Sequence, residues 1–162
     1  MRRTHLLCAI GVGIWSAIVT CSQATPAAAL SEAQRAHVTS DQFQIVTSIR
    51  GLPLGVRDAL QTLFGTSTLD IAEPGAEFRV TEAIGNDLPL RRLVAAGCST
   101  DHCLVYYERG GVTHTWQVAL FHWTPPATRF EWGGTAPSGL ATVEDIRKAV
   151  LSGAIKSPNK LW

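Results

Sequence analysis

Cys98-Ser99-Thr100-Asp101-His102-Cys103 concentrates more chemistry-bearing side chains than any other stretch of this chain. Two cysteines with four residues between them, downstream of an export signal, predict a disulfide that closes a very small loop. Asp101 and His102 then sit in that loop. Other chemistries are open to the same residues. Thiol exchange favours two intervening residues and a depressed thiol pKa, which four residues fit poorly. A zinc site built from Cys98, His102 and Cys103 with His114 or His122 lacks the paired spacing of structural zinc. A plain structural staple with Asp101 and His102 merely solvated is the simplest alternative. His114 and His122 lie eight residues apart in a strand-like stretch, which puts both on one face. Neither has a triad-like neighbour in sequence, so each reads as a partly buried strand histidine. There is no Gly-x-Ser-x-Gly, no His-Glu-x-x-His and no phosphate loop. The reading is therefore non-enzymatic, with no catalytic residue, no metal and no cofactor.

The elements that must hold the loop begin after a distinct N-terminus. Arg2 and Arg3 precede an apolar stretch from Leu6 to Thr20, and Ser22-Gln23-Ala24 offers a small-x-small cleavage site. That pattern predicts a signal peptide over residues 1–24, with Ala27-Ala28-Ala29 as a later site. The apolar run is shorter than the roughly 18–20 residues of a membrane span, so no stable span is expected. Cleavage removes Cys8 and Cys21 and leaves Cys98 and Cys103 as the only pair. Ile18-Val19-Thr20-Cys21 has some likeness to a lipobox, although Thr20 is large for the position before a lipidated cysteine. The expected location is periplasmic or secreted, with lipid anchoring through Cys21 as the lesser alternative. The 14 Lys and Arg against 13 Asp and Glu form no basic stripe, which argues against nucleic acid.

Beyond a lead-in over 25–49, residues 50–162 read as one domain. Ser31 and Gln34 form a capping box for a short helix or extended lead-in. Leu52-Pro53 opens a helix with Leu52, Val56, Leu60 and Leu63 at helical spacing, and Gly65 ends it. Strands are expected over 76–83, 88–96, 104–108, 113–123 and 129–132, with turns at Gly85-Asn86-Asp87, Arg109 to Val112 and Pro125-Pro126. The 113–123 stretch alternates Trp116, Val118 and Leu120 against Ala119, Phe121 and Trp123, which predicts a strand covered on both faces. Gly133-Gly134 is expected to end the last strand. Thr142 and Asp145 form a capping box for a final helix with Val143, Ile146 and Val150 on its apolar face. Tyr106, Tyr107, Trp116, Trp123 and Trp132 read mainly as core, with an outward-facing anchor beside the loop as an option. The fold class is α+β: an antiparallel sheet of about five strands with helices packed on it.

Taken together, the chain resembles the inhibitor of vertebrate lysozyme (Ivy) family of bacterial periplasmic proteins. The resemblance rests on the export signal and on Leu52-Pro53-Leu54-Gly55-Val56 before a helix. It continues with a strand into Gly97-Cys98, the six-residue cysteine loop, Leu104-Val105-Tyr106-Tyr107 and the final Ala149-Val150-Leu151-Ser152-Gly153. It covers Arg50 to Lys156. It implies that Cys98 and Cys103 brace a protruding inhibitory loop of Ser99, Thr100, Asp101 and His102. In that picture His102 is the plug, entering the cleft of a c-type lysozyme or another peptidoglycan hydrolase with Asp101 beside it. An imidazole donor suits a glycosidase's paired carboxylates. The family's loop reads Cys-Lys-Pro-His-Asp-Cys. Here the basic residue and proline are missing, and acid and imidazole are exchanged. The same scaffold carrying a different envelope ligand is the alternative, and a homodimer is left open.

Overall fold

The computed structural model describes residues 29–81 and 87–156. The expected signal peptide with Cys8 and Cys21, the expected turn at Gly85-Asn86 and the tail beyond Lys156 lie outside the described residues.

Five strands form one antiparallel meander in the order β1 (Gln44–Val46), β2 (Arg91–Cys98), β3 (His102–Arg109), β4 (Thr115–Thr124) and β5 (Ala127–Ala136). Three α-helices cover the sheet, α1 (Glu32–Ser40), α2 (Leu54–Phe64) and α3 (Val143–Ser152). The α+β expectation holds.

Helix ends follow from local chemistry. The Ser31 hydroxyl accepts from the Gln34 N–H while the Gln34 side chain accepts from the Ser31 N–H. Thr142 and Asp145 do the same for α3. These reciprocal caps satisfy amides that have no helical partner. Gly65 and Gly153 end α2 and α3 in the left-handed conformation, which glycine adopts without a Cβ penalty.

The strand period of two splits the core. Val105, Tyr107, Ala119 and Phe121 face Leu52, Val56, Leu60 and Phe64, on and beside α2. Leu104, Tyr106, Val118 and Leu120 face α1 and α3, through Val38, Ile146 and Val150. The predicted two-sided burial of the 113–123 stretch is what the structure shows. Each fully buried Leu, Val or Phe contributes about 1.5–3 kcal/mol by leaving water.

Two strand expectations fail. The described part of 76–83 is not in a strand: Phe78 is buried, but Val80 is half-exposed, so the alternation does not correspond to two faces. β2 is instead paired by Gln44, Ile45 and Val46 against Cys98, Gly97 and Ala96, while Ala72 makes a bridge to Arg92. The edge that a 76–83 strand needed is thereby divided between two other segments. Gly133-Gly134 does not end β5, which runs on to Ala136. A Cβ on Gly134 would lie 2.5 Å from the Lys156 carbonyl oxygen, and Lys156 bridges Thr135 in both directions. The glycine admits a neighbouring backbone and does not break the strand.

Candidate functional site: a histidine–carboxylate pocket beside the braced turn

Cys98 and Cys103 are bridged, and they are also register partners across β2 and β3. Residues 99–102 are thus a tight hairpin turn, closed by the Ser99 N–H donating to the His102 carbonyl at 2.7 Å. The bridge belongs to the apolar cluster on the α2 side, with Cys103 fully buried. With the bond in place neither cysteine offers a thiolate to a metal.

The turn does not stand clear of the sheet. The Trp123 N–H donates to the Asp101 carbonyl, and the Ser99 hydroxyl donates to Asp41 Oδ2 at 3.0 Å. Thr100 is the exposed residue of the turn. His102 is not a projecting tip. It is only 2% exposed, because as the first residue of β3 it shares the face of Leu104 and Tyr106, which α1 covers. This corrects the expectation of an outward His102. Its placement after Asp101 puts it in the ladder, opposite His122, and the pleat then dictates its face.

Four elements converge on that imidazole. α1 supplies His37, whose ring stacks on His102 at 3.9 Å between centroids, and its C-cap residue Asp41. α1 is held there by buried Val38 and by Arg147 of α3, whose Nε donates to the Val38 carbonyl at 2.7 Å. The turn supplies Asp101, with Oδ1 2.8 Å from His102 Nδ1. β4 supplies His122, edge-on to His102 at 5.3 Å. β5 supplies Arg129 and Glu131. Leu120 pairs with Trp132 and Phe121 with Phe130, so Glu131 is the extra residue of a β-bulge. Bulges re-aim side chains, and this one puts Glu131 Oε2 3.6 Å from His102 Nε2. Arg129 bonds the other oxygen of Glu131 at 2.7 Å.

The result is a pocket of about 300 Å³ beside the turn, lined by His37, Asp101, His102, His122, Arg129 and Glu131. Three carboxylates surround one buried imidazole, since Asp41 Oδ2 also lies 3.5 Å from His102 Nδ1. Partial burial opposes ionisation of Asp101. The hydrogen bond from His102 and the nearby charges of His102, His37 and His122 outweigh it and hold that carboxyl below its ordinary 3.8. His122 Nδ1 is buried without a hydrogen-bond partner.

His114 is remote from this pocket. It lies at the other end of β4, bonded to Glu108 at 2.9 Å and stacked on Trp116. The two histidines expected on one face are therefore not brought together. Tyr106, Tyr107 and Trp132 are core, as expected, while Trp123 is half-buried against the α2-side cluster. A larger groove of about 480 Å³ runs between α2 and β5, but Asp58 and Arg129 are its only charged lining groups. It gathers no set of groups comparable to the smaller pocket. His37, Asp41 and Glu131 escaped the sequence reading because they join the turn only in three dimensions. No family model, no characterised protein and no solved structure matches the chain.

Proposed function

We propose that this chain is an exported, non-enzymatic binding protein of the cell envelope on an Ivy-like scaffold. Its contact surface is the braced β2–β3 turn with the adjacent histidine–carboxylate pocket. One observation supports this reading above the cleft-plug alternative: the His102 imidazole is buried and faces three of the protein's own carboxylates.

A plug must offer its imidazole to the paired carboxylates of a glycosidase cleft. Here that donor is already committed. Swinging it out would break a charge-assisted hydrogen bond, about 1.5–3 kcal/mol, and uncover the stacked face of His37. What the turn presents outward is Thr100 and the partly exposed Asp101. A carboxylate brought against two more carboxylates is repelled. The geometry thus favours the shared-scaffold reading with a ligand other than an acidic cleft. The polar groups in and beside the pocket are also largely paired with one another, Ser99 with Asp41, Asp101 with His102 and Arg129 with Glu131.

The test is inhibition of a c-type lysozyme by the purified protein, using wild type, His102→Ala and the Cys98→Ser/Cys103→Ser pair. The reading predicts no inhibition by any of the three at large molar excess. Inhibition by wild type that weakens tenfold or more in His102→Ala, about 1.4 kcal/mol, would overturn it in favour of the plug.

A further inference from the structure

We propose that His37, Asp41, Asp101 and His102 form a binding site for one divalent transition-metal ion, with zinc as the best match. The inference deepens the reading of the pocket as the contact surface and names its ligand.

The donor atoms of these four residues lie within 4.8 Å of one another. Their arrangement is that of a coordination set more than of a hydrogen-bond network. The two Asp41 oxygens each face a different imidazole. Oδ1 is 3.3 Å from His37 Nδ1, and Oδ2 is 3.5 Å from His102 Nδ1. Both separations are long for charge-assisted hydrogen bonds, which run about 2.7–2.9 Å. Each, taken singly, is near the edge of a tetrahedral zinc site, about 3.3–3.6 Å for zinc–nitrogen and zinc–oxygen bonds of about 2.0–2.2 Å, so one Asp41 oxygen can share an ion with the imidazole it faces. The fourth donor, Asp101 Oδ1, is 2.8 Å from His102 Nδ1. To reach tetrahedral geometry Asp101 would retreat by about half an ångström, and the His37 ring would slide off His102 by about 1 Å.

Proton counting points the same way. His102 Nδ1 faces two carboxylates and carries at most one proton, which the short contact gives to Asp101. Asp41 Oδ2 is then left with the Ser99 hydroxyl. A cation among the four donors replaces that proton and satisfies both acids at once. Two imidazoles and two carboxylates suit zinc better than calcium or magnesium, which take oxygen shells.

The surroundings fit as well. A ligating histidine commonly directs its second ring nitrogen to a carboxylate, which fixes its tautomer and orientation. Glu131 Oε2 lies 3.6 Å from His102 Nε2, a neighbouring charge just beyond hydrogen-bond reach, and Arg129 holds Glu131 in place. The bulge that aims Glu131 inward thereby acquires a purpose. His122, with its unpartnered Nδ1, stands edge-on to His102 and walls the same pocket. The disulfide side chains point to the opposite face of the sheet, so bridge and ion do not compete.

The test is calorimetric titration of zinc chloride into untagged, chelator-treated protein with its disulfide intact. Cobalt(II) provides the spectroscopic check, through the visible bands of a four-coordinate ion. The expected result is one equivalent bound at micromolar affinity or tighter. His37→Ala and Asp41→Asn should each weaken it at least tenfold, and His114→Ala should leave it unchanged. His37 sits on an exposed helix turn, where alanine preserves the helix, and circular dichroism verifies that each variant is folded. No saturable binding of either metal by wild type would overturn the proposal, as would binding that survives His37→Ala and Asp41→Asn intact. The lysozyme assay needs no metal, so loss of either claim is read separately from the other.

Discussion

Replacing His102 by alanine separates a buried hub from a projecting plug by stability alone. In the structure His102 is 2% exposed, donates to Asp101 at 2.8 Å and stacks on His37. A hydrogen bond to a charged group contributes about 1.5–3 kcal/mol. Water admitted from the adjoining pocket rehydrates the carboxylates and offsets part of that loss. The net expectation is a destabilisation of about 2 kcal/mol. A solvated surface histidine would change stability by less than about 0.5 kcal/mol. Urea unfolding at neutral pH with the disulfide intact reads the difference. With a slope of about 1–3 kcal/mol per molar, the midpoint should fall by about 1 M with the slope unchanged. A double-mutant cycle with Asp101→Ala should recover about 1 kcal/mol of coupling, since Asp101 is itself partly exposed. A midpoint shift below about 0.3 M with no coupling would refute the placement of the imidazole.

Three further outcomes follow from the same geometry. Removing the bridge as Cys98→Ser/Cys103→Ser should cost about 2 kcal/mol on the loop-entropy account while far-ultraviolet circular dichroism stays native, because so short a loop constrains little of the unfolded chain. Gly134→Ala should destabilise by about 1–3 kcal/mol, measured by denaturation, since its Cβ would press on the Lys156 carbonyl 2.5 Å away. The Asp101 carboxyl, followed by NMR, should titrate below 3.8 and return toward that value in His102→Ala. Its folded pKa is depressed, so its contribution to stability is present above the unfolded value and lost as pH falls through the folded one.

What could be read from the chain was local. The helix caps at Ser31 and Thr142 and the glycine stops at Gly65 and Gly153 involve groups three or four residues apart, so their chemistry is visible in the string of letters. The two faces of β4 were legible for the same reason, because strict alternation survives in any antiparallel partnering. Partner choice was not legible. Phe78 and Val80 carry a strand pattern, yet Ile45 and Val46, about 35 residues earlier, hold the β2 edge, a competition that no local propensity decides. Gly133 and Gly134 look like a strand end until Lys156 arrives from the far end of the chain. The site divides the same way. Cys98 and Cys103 declare themselves by spacing, but the facing of His102 depends on where β3 begins, and Asp41, His37 and Glu131 come from a helix end and a bulge.

Chemical accessibility of His37, His102, His114 and His122 tests the central claim most directly, the inward setting of His102. Brief modification of the native protein with diethyl pyrocarbonate, mapped by mass spectrometry, reports each ring separately. His37 and His114, whose side chains are 40% and 37% exposed, should react readily, and His102, at 3%, should react at least tenfold more slowly. Reaction of His102 at the rate of His37 and His114 would contradict the account and return the imidazole to the tip of a projecting loop.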